Sequence, residues 1–289
     1  MAVIETSPQE LAEIARQKWS RVNYGDTAVW KIPGESSDQV YLLIHGFRGD
    51  HHGLAAIAAG LTAFDVLIPD LPGYGKSAAL EKSDLESYAN WLAQLVNSIG
   101  KPVHLIGHSF GTLVCSQAVA TGLQVLSLSL IAPISTRSAK QKDLGNSVAR
   151  VFYRTCKALG LAGSLLMRSW LVVQIMSVAM ATTRNRSLRS WIHNQHQSYF
   201  SNYANDEVVE TGFWSASRSS VLDFAEQLKI PTLIIAGDVD LIAPLDGQKR
   251  LQQEIANSKL EIVPNIGHLL HYEAPAKVAE LITDFSKSV

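Results

Sequence analysis

The sequence has only two cysteines, Cys115 and Cys156, in 289 residues. Neither sits in a CxxC pair, and no Cys/His cluster has zinc-site spacing. Both are expected as reduced thiols packed like small apolar side chains, and no metal is implied. An excess of charge is also missing. Lys and Arg total 25, Asp and Glu 26, and the net charge is -1. So balanced a chain has no basic field to gather nucleic acid, and nucleic acid is not an expected partner. No apolar run reaches the ~18–20 uncharged residues of a transmembrane span. The nearest, residues 169–183, is bounded by Arg168 and Arg184. The N-terminal residues lack the basic start and apolar stretch of a signal peptide, which predicts a cytoplasmic protein. Internal repeats and low-complexity tracts are absent.

What is present is a core. Hydrophobic residues make up 47% and charged residues 18%, enough for one large α/β domain. Ser7, Pro8 and Glu10 predict the capped start of a helix. Residues 19–24 and 27–32 read as two strands joined by Gly25-Asp26. From residue 40 onward, apolar runs at 40–44, 65–68, 103–106, 125–132, 232–236 and 259–263 read as buried strands. Between and after them lie segments of helical period at 51–61, 83–99, 110–121, 246–255 and 275–286, with Ser83 and Glu86 predicted to form a capping box. This alternation predicts an α/β fold: a mostly parallel eight-stranded sheet, helices on both faces, and the hairpin at its leading edge. Residues 135–224 contain no clear buried strand and are expected to form a helical cap or lid. Residues 1–134 and 225–289 are then the core. Arg184, Arg186 and Arg189 in the insertion are either a solvated helix face or a contact for an anionic group on substrate or membrane.

One motif carries chemistry. Gly107-His108-Ser109-Phe110-Gly111 lies between a predicted strand and a predicted helix, the setting of a G-x-S-x-G nucleophile elbow. There the serine sits on a sharp, strained turn, and larger residues at 107 and 111 would collide with neighbouring elements. A serine hydroxyl is a weak nucleophile and needs a base, which needs an orienting acid. Chain order for this fold is serine, acid, histidine. Asp238 and Asp240 follow strand 232–236, at the end where open α/β sheets hold ligands. His268 follows the last strand; His271, close by, is given a structural or substrate-contact role.

Acyl transfer also needs two donors for the oxyanion. The first is the Phe110 N–H, directly after the nucleophile. The second comes from the loop His45-Gly46-Phe47-Arg48-Gly49, with Phe47 N–H the choice, Gly46 allowing close approach and His45 bracing the loop. Gly75-Lys76-Ser77 imitates the end of a phosphate loop, but the preceding spacing is wrong for one.

HGF at 45–47, DLPGYGKS at 70–77, GHSFG at 107–111, AGDVD at 236–240 and GHLLHYEAP at 267–275 together resemble the α/β-hydrolase superfamily. The likeness is greatest to its esterase, lipase and C–C-bond hydrolase branches. It implies Ser109 as nucleophile, His268 as base, Asp240 rather than Asp238 as acid, and no cofactor. Ser109 excludes the branches with an Asp nucleophile. C–C-bond hydrolases often carry Trp after the histidine; Leu269 stands there, which puts the ester reading first. The expected function is hydrolysis of an apolar small-molecule carboxylic ester, with a small or medium acyl group, through an acyl-enzyme. The alternatives are a C–C-bond or amide hydrolase, an acyltransferase, and a ligand sensor that retains the fold.

Overall fold

The apolar runs fold into eight strands: β1 (Ser20–Tyr24), β2 (Thr27–Ile32), β3 (Ser36–Ile44), β4 (Phe64–Pro69), β5 (Val103–His108), β6 (Ser127–Ile131), β7 (Thr232–Gly237) and β8 (Ser258–Val263). The structure, a computed structural model, describes residues 6–137 and 144–289. The first five residues, part of the signal-peptide argument, and residues 138–143 of the expected cap lie outside the described residues. The strands form one sheet in the order β1-β2-β4-β3-β5-β6-β7-β8. The β1/β2 and β2/β4 pairs are antiparallel and all others parallel. The hairpin therefore forms the leading edge of a mostly parallel sheet.

Every residue of β5, β6 and β7 is buried, which is why these strands are predominantly apolar, the buried His104 and Ser127 meeting each other at 2.8 Å. Alternate side chains point to opposite faces. Leu42, Ile44, Leu105, Leu130 and Ile234 pack on one face, Tyr41, Leu43, Ile106, Ile131 and Ile235 on the other. Helices α3 (Leu85–Ile99) and α4 (Phe110–Ala120) cover the first face; α1 (Pro8–Lys18), α2 (Ala55–Gly60) and α12 (Pro275–Ser286) cover the second. In α1 the Ser7–Glu10 capping box is present.

Two local readings need correction. The cap of α3 is Asp84, whose carboxylate accepts from Ser87 N–H at 2.8 Å; Ser83 is buried beside the Tyr88 hydroxyl instead. The predicted helix 51–61 is a 3-10 turn, His51–Leu54, followed by the short α2. The buried Asp70 carboxylate accepts from both the backbone N–H and the Nδ1–H of His51, which fixes that first turn.

Between β6 and β7 the described residues hold no strand. They form α5 (Leu144–Leu159), α6 (Leu161–Met167), α7 (Trp170–Met180), α8 (Arg186–Tyr199) and α9 (Asp206–Arg218). Helices α10 (Leu245–Glu254) and α11 (Leu270–Glu273) complete the chain. Among the described residues no single helix is long and apolar enough to cross a membrane. Cys115 and Cys156 are buried and unbonded.

After β3 the chain moves to one side, to β4, and then returns across the sheet to β5 on the other side of β3. Loops leaving β3 and β5 thus diverge above the sheet, and such a switch point leaves a crevice.

Candidate active site

Register brings the two loops at the switch point together. Ile44, the last residue of β3, pairs with Gly107 of β5, so the loop that starts at His45 runs level with His108 and Ser109. Ser109 ends the strand and caps α4 with φ 50° and ψ −116°, a conformation that costs a non-glycine residue about 1–3 kcal/mol. Ser109 N–H donates to Ile131 O at 3.0 Å, which ties the turn to β6. Gly111 explains itself by contact: a Cβ there would run into the carbonyl oxygens of Ile44 and His45. One on Gly107 would come within 2.7 Å of Gly111 O.

The Ser109 hydroxyl makes no capping bond to its own helix. It lies 2.8 Å from His268 Nε2 instead. His268 Nδ1 is 2.9 Å from Asp240 Oδ2. The other Asp240 oxygen accepts the N–H groups of Ile242 and Ala243 at 2.7 and 2.8 Å. These contacts assign the tautomer: Nδ1–H donates to the carboxylate and Nε2 accepts from the serine. Burial alone would raise the pKa of Asp240, but the His268 charge and these hydrogen bonds outweigh it and hold the acid below its ordinary value. Asp238, the alternative, is exposed.

On the other side of Ser109, Gly46 packs against the Ser109 Cβ. His45 is buried; its Nδ1–H donates to Gly46 O at 2.9 Å and its Nε2 accepts from Leu71 N–H at 2.8 Å. The turn Gly46–Gly49 closes with Gly49 N–H on Gly46 O at 3.1 Å, and Arg48 occupies its third position at φ 60°. Phe47 is half-buried, with its ring 6.5 Å from that of Phe110. Phe110 N–H is a first-turn amide of α4, beyond the reach of any helix carbonyl.

His108 packs against the segment His268–His271. Its ring lies 4.0 Å from that of His271, tilted by 50°, and its Nε2–H donates to His268 O at 3.4 Å, bracing the loop that carries His268. Burial lowers its pKa to about 3, and that of His196 to about 3 as well. His271 is buried and held well below the ordinary histidine range by desolvation. These neutral rings carry a cost in acid. Unfolded, each takes a proton near ~pH 6.5; folded, each refuses it until far lower pH. The unfolded state then binds more protons, so stability falls as pH drops below ~6.5. His108 and His196 each remove about 1.4 kcal/mol per pH unit. Thermal melts from ~pH 7 to ~pH 5 should show a steadily falling Tm, with a shallower slope in His196→Asn. A Tm flat over that range contradicts the account.

Three other contributors had no clear mark in the sequence. Asp70, fully buried, also accepts from Lys76 N–H at 2.8 Å, so the segment that imitated a phosphate loop wraps its own carboxylate. Glu273 accepts from Thr182 N–H and Thr182 Oγ1–H at 2.8 and 2.7 Å, while Gly267 N–H donates to Thr182 Oγ1 at 3.0 Å. That fastens the segment after α7 to the His268 loop. Arg48, 1% exposed, donates to Phe200 O and Met167 O at 3.0 and 2.8 Å. It joins the turn after β3 to the helices between β6 and β7.

Residues 40–275 match the family model for the alpha/beta hydrolase fold. The chain belongs to the α/β-hydrolase fold family. Among curated relatives of this α/β-hydrolase, the monoacylglycerol lipase ABHD6 of Mus musculus is 26% identical over 264 residues, covering 86% of this chain and 75% of that one. Lipase 1 of Psychrobacter immobilis is 25% identical over 272 residues, 89% of this chain and 79% of that one. The solved structure of a thermophilic esterase from Thermogutta terrifontis superimposes with a TM-score of 0.72 at 23% identity, covering 94% of this chain and 98% of that one. At that identity the superposition speaks for the fold alone. The α/β-hydrolase described here is an enzyme of the hydrolase class.

Proposed function

We propose that this α/β-hydrolase cleaves carboxylic esters with an apolar acyl group, through an acyl-enzyme on Ser109. The observation that carries the reading is the unbroken hydrogen-bonded line from Ser109 Oγ through His268 to Asp240 Oδ2. Ser109 Oγ attacks the ester carbonyl carbon as His268 Nε2 takes its proton. Asp240 stabilises the imidazolium and keeps the ring oriented. The carbonyl oxygen becomes an oxyanion, and the N–H groups of Phe110 and Phe47 receive it; one such donor is worth ~2.7–4 kcal/mol. His268 then protonates the leaving alcohol, and the acyl group stays on Ser109. Water, deprotonated by His268, attacks the acyl carbon, and Ser109 leaves with that proton.

The apolar acyl group is supported by the side chains beyond the oxyanion turn. Phe47 meets Tyr153 edge-on at 6.3 Å, and Tyr153 stacks on Phe213 at 4.1 Å. We assign this aromatic wall, from the turn to α5 and α9, to the acyl chain. The relatives named as lipases act in the same direction. In this reading the helices between β6 and β7, within residues 135–224, form the cap, and residues 1–134 and 225–289 the core. No cofactor is needed for any step.

The test is hydrolysis of p-nitrophenyl esters of increasing acyl length by wild type and Ser109→Ala. Turnover that rises with chain length and disappears in the variant is the expected result. Turnover that survives in Ser109→Ala, or is confined to acetate, overturns the reading.

A further inference from the structure

Helix α7 is apolar nearly all round, yet one side of it is exposed. Val173 and the polar Ser177 face inward, where Ser177 Oγ meets His193 Nδ1 and His196 Nδ1 at 2.6 and 2.7 Å. Leu171, Ile175 and Val178, spaced by four and three, face out, each 60% exposed. Helix α6 continues the pattern with Leu161 and Leu165, 79% and 66% exposed. Helix α5 adds Val148 and Val151 on the side opposite its buried Tyr153 and Cys156. Among the described residues, ten of the sixteen large hydrophobic side chains that stand exposed lie on these three consecutive helices. An exposed apolar surface of this kind marks a contact with something that is not water.

Charge says what the contact is. Residues 144–205 carry seven Lys or Arg and no Asp or Glu, while the whole chain carries -1, leaving -8 for the rest. Arg184, Arg186 and Arg189 are exposed just beyond the end of α7, and Arg154 is exposed on α5 over the Trp214 ring, while Lys157 pairs with Glu210 at 2.8 Å. Apolar side chains rimmed by cations fit an anionic lipid surface: the apolar groups enter the headgroup–acyl boundary and the cations meet lipid phosphates. Trp170, 65% exposed at the start of α7, has the amphipathic ring that favours that boundary.

The same helices do not span. Helices α6 and α7 are bent by 44°. At the bend Arg168 turns back to the protein, donating to Ser201 O and Tyr203 O at 3.0 and 3.1 Å. A charged bend held from one side keeps the pair lying along a surface.

We propose that α5, α6 and α7 dock this protein on the surface of anionic membranes, lying in the interface plane. The segment after α7 is pinned to the His268 loop through Thr182, so docking sets the candidate active site beside the lipid. Binding does not depend on the ester reading, and the test separates the two.

The full chain is sedimented with vesicles of phosphatidylcholine alone and of phosphatidylcholine mixed equally with phosphatidylglycerol. Wild type should pellet with the mixed vesicles and be released by high salt. The double variant Leu171→Glu/Ile175→Glu should bind at least about ten-fold more weakly while keeping wild-type turnover of a soluble short-chain ester and wild-type Tm. Arg184→Glu/Arg186→Glu should lose the preference for the anionic vesicles. Wild type that stays in the supernatant with both vesicles overturns the proposal. So does a wild-type dimer in sedimentation velocity that becomes a monomer in Leu171→Glu/Ile175→Glu, since a second copy then covers the face.

Discussion

Ser109→Ala and His268→Ala are each expected to cut kcat by roughly a million-fold, and the double variant to lose little more. In the proposed mechanism the two side chains perform one act. Without the imidazole the hydroxyl keeps its proton, and without the hydroxyl the imidazole has nothing to activate. The residual rate belongs to the oxyanion donors and binding, which survive both changes. Asp240→Asn should cost roughly ten-thousand-fold, because an amide facing Nδ1 donates where the carboxylate accepts and favours the wrong tautomer. Asp238→Asn is expected to leave kcat within about two-fold, since that carboxylate is exposed and surface changes are usually small. KM should change little in all five variants. Steady-state kinetics on one p-nitrophenyl ester, with each protein's concentration taken from its absorbance, decide the matter. An inactive Asp238→Asn beside an active Asp240→Asn would give the role to the other carboxylate.

The sequence made the sheet legible because burial on both faces leaves predominantly apolar strands, as in β7. It made the elbow legible because Gly107 and Gly111 are demanded by backbone contacts that no other residue tolerates. Element starts were less legible. Ser83 and Asp84 are both good caps, and only packing shows that Ser83 turns inward to Tyr88. Asp238 and Asp240 were not separable by residue type; burial and the two backbone donors at Ile242 and Ala243 distinguish them. The outward apolar face of α7 was also hidden. An apolar run such as 170–180 reads as core until the inward position of Ser177 is known. Long-range fastenings leave no periodic mark at all: Glu273 to Thr182 spans 91 residues and Arg48 to Phe200 spans 152.

Arg48 is the fastening with the largest expected effect. Its side chain is buried with no carboxylate bonded to it among the described residues; its bonded partners are two carbonyls, and Met176 Sδ lies 3.7 Å from Nη1. Its ring neighbour is Tyr203, 5.5 Å from the guanidinium. Its backbone stands at φ 60°, a position in the turn that ordinarily goes to glycine. A strained arginine whose guanidinium ends on α6–α8 carbonyls makes the Gly46–Gly49 turn and the overlying helices one unit. Arg48→Ala leaves the Phe200 and Met167 carbonyls without their donor and opens a cavity, while the strained φ remains. The expected cost is about 3–5 kcal/mol, a fall in Tm of roughly ten degrees. If the turn positions Phe47 N–H for the oxyanion, kcat should also fall by roughly a hundred-fold, the worth of one donor, measured well below the lowered Tm. Arg48→Lys retains the charge but not the fork that reaches two carbonyls, and should recover only part of either loss. A variant with the lowered Tm but wild-type kcat would show that Arg48 holds the helices down without positioning the oxyanion donor. A variant with lowered kcat and raised KM would place the damage in substrate binding, because an oxyanion donor acts on the transition state and leaves KM unchanged.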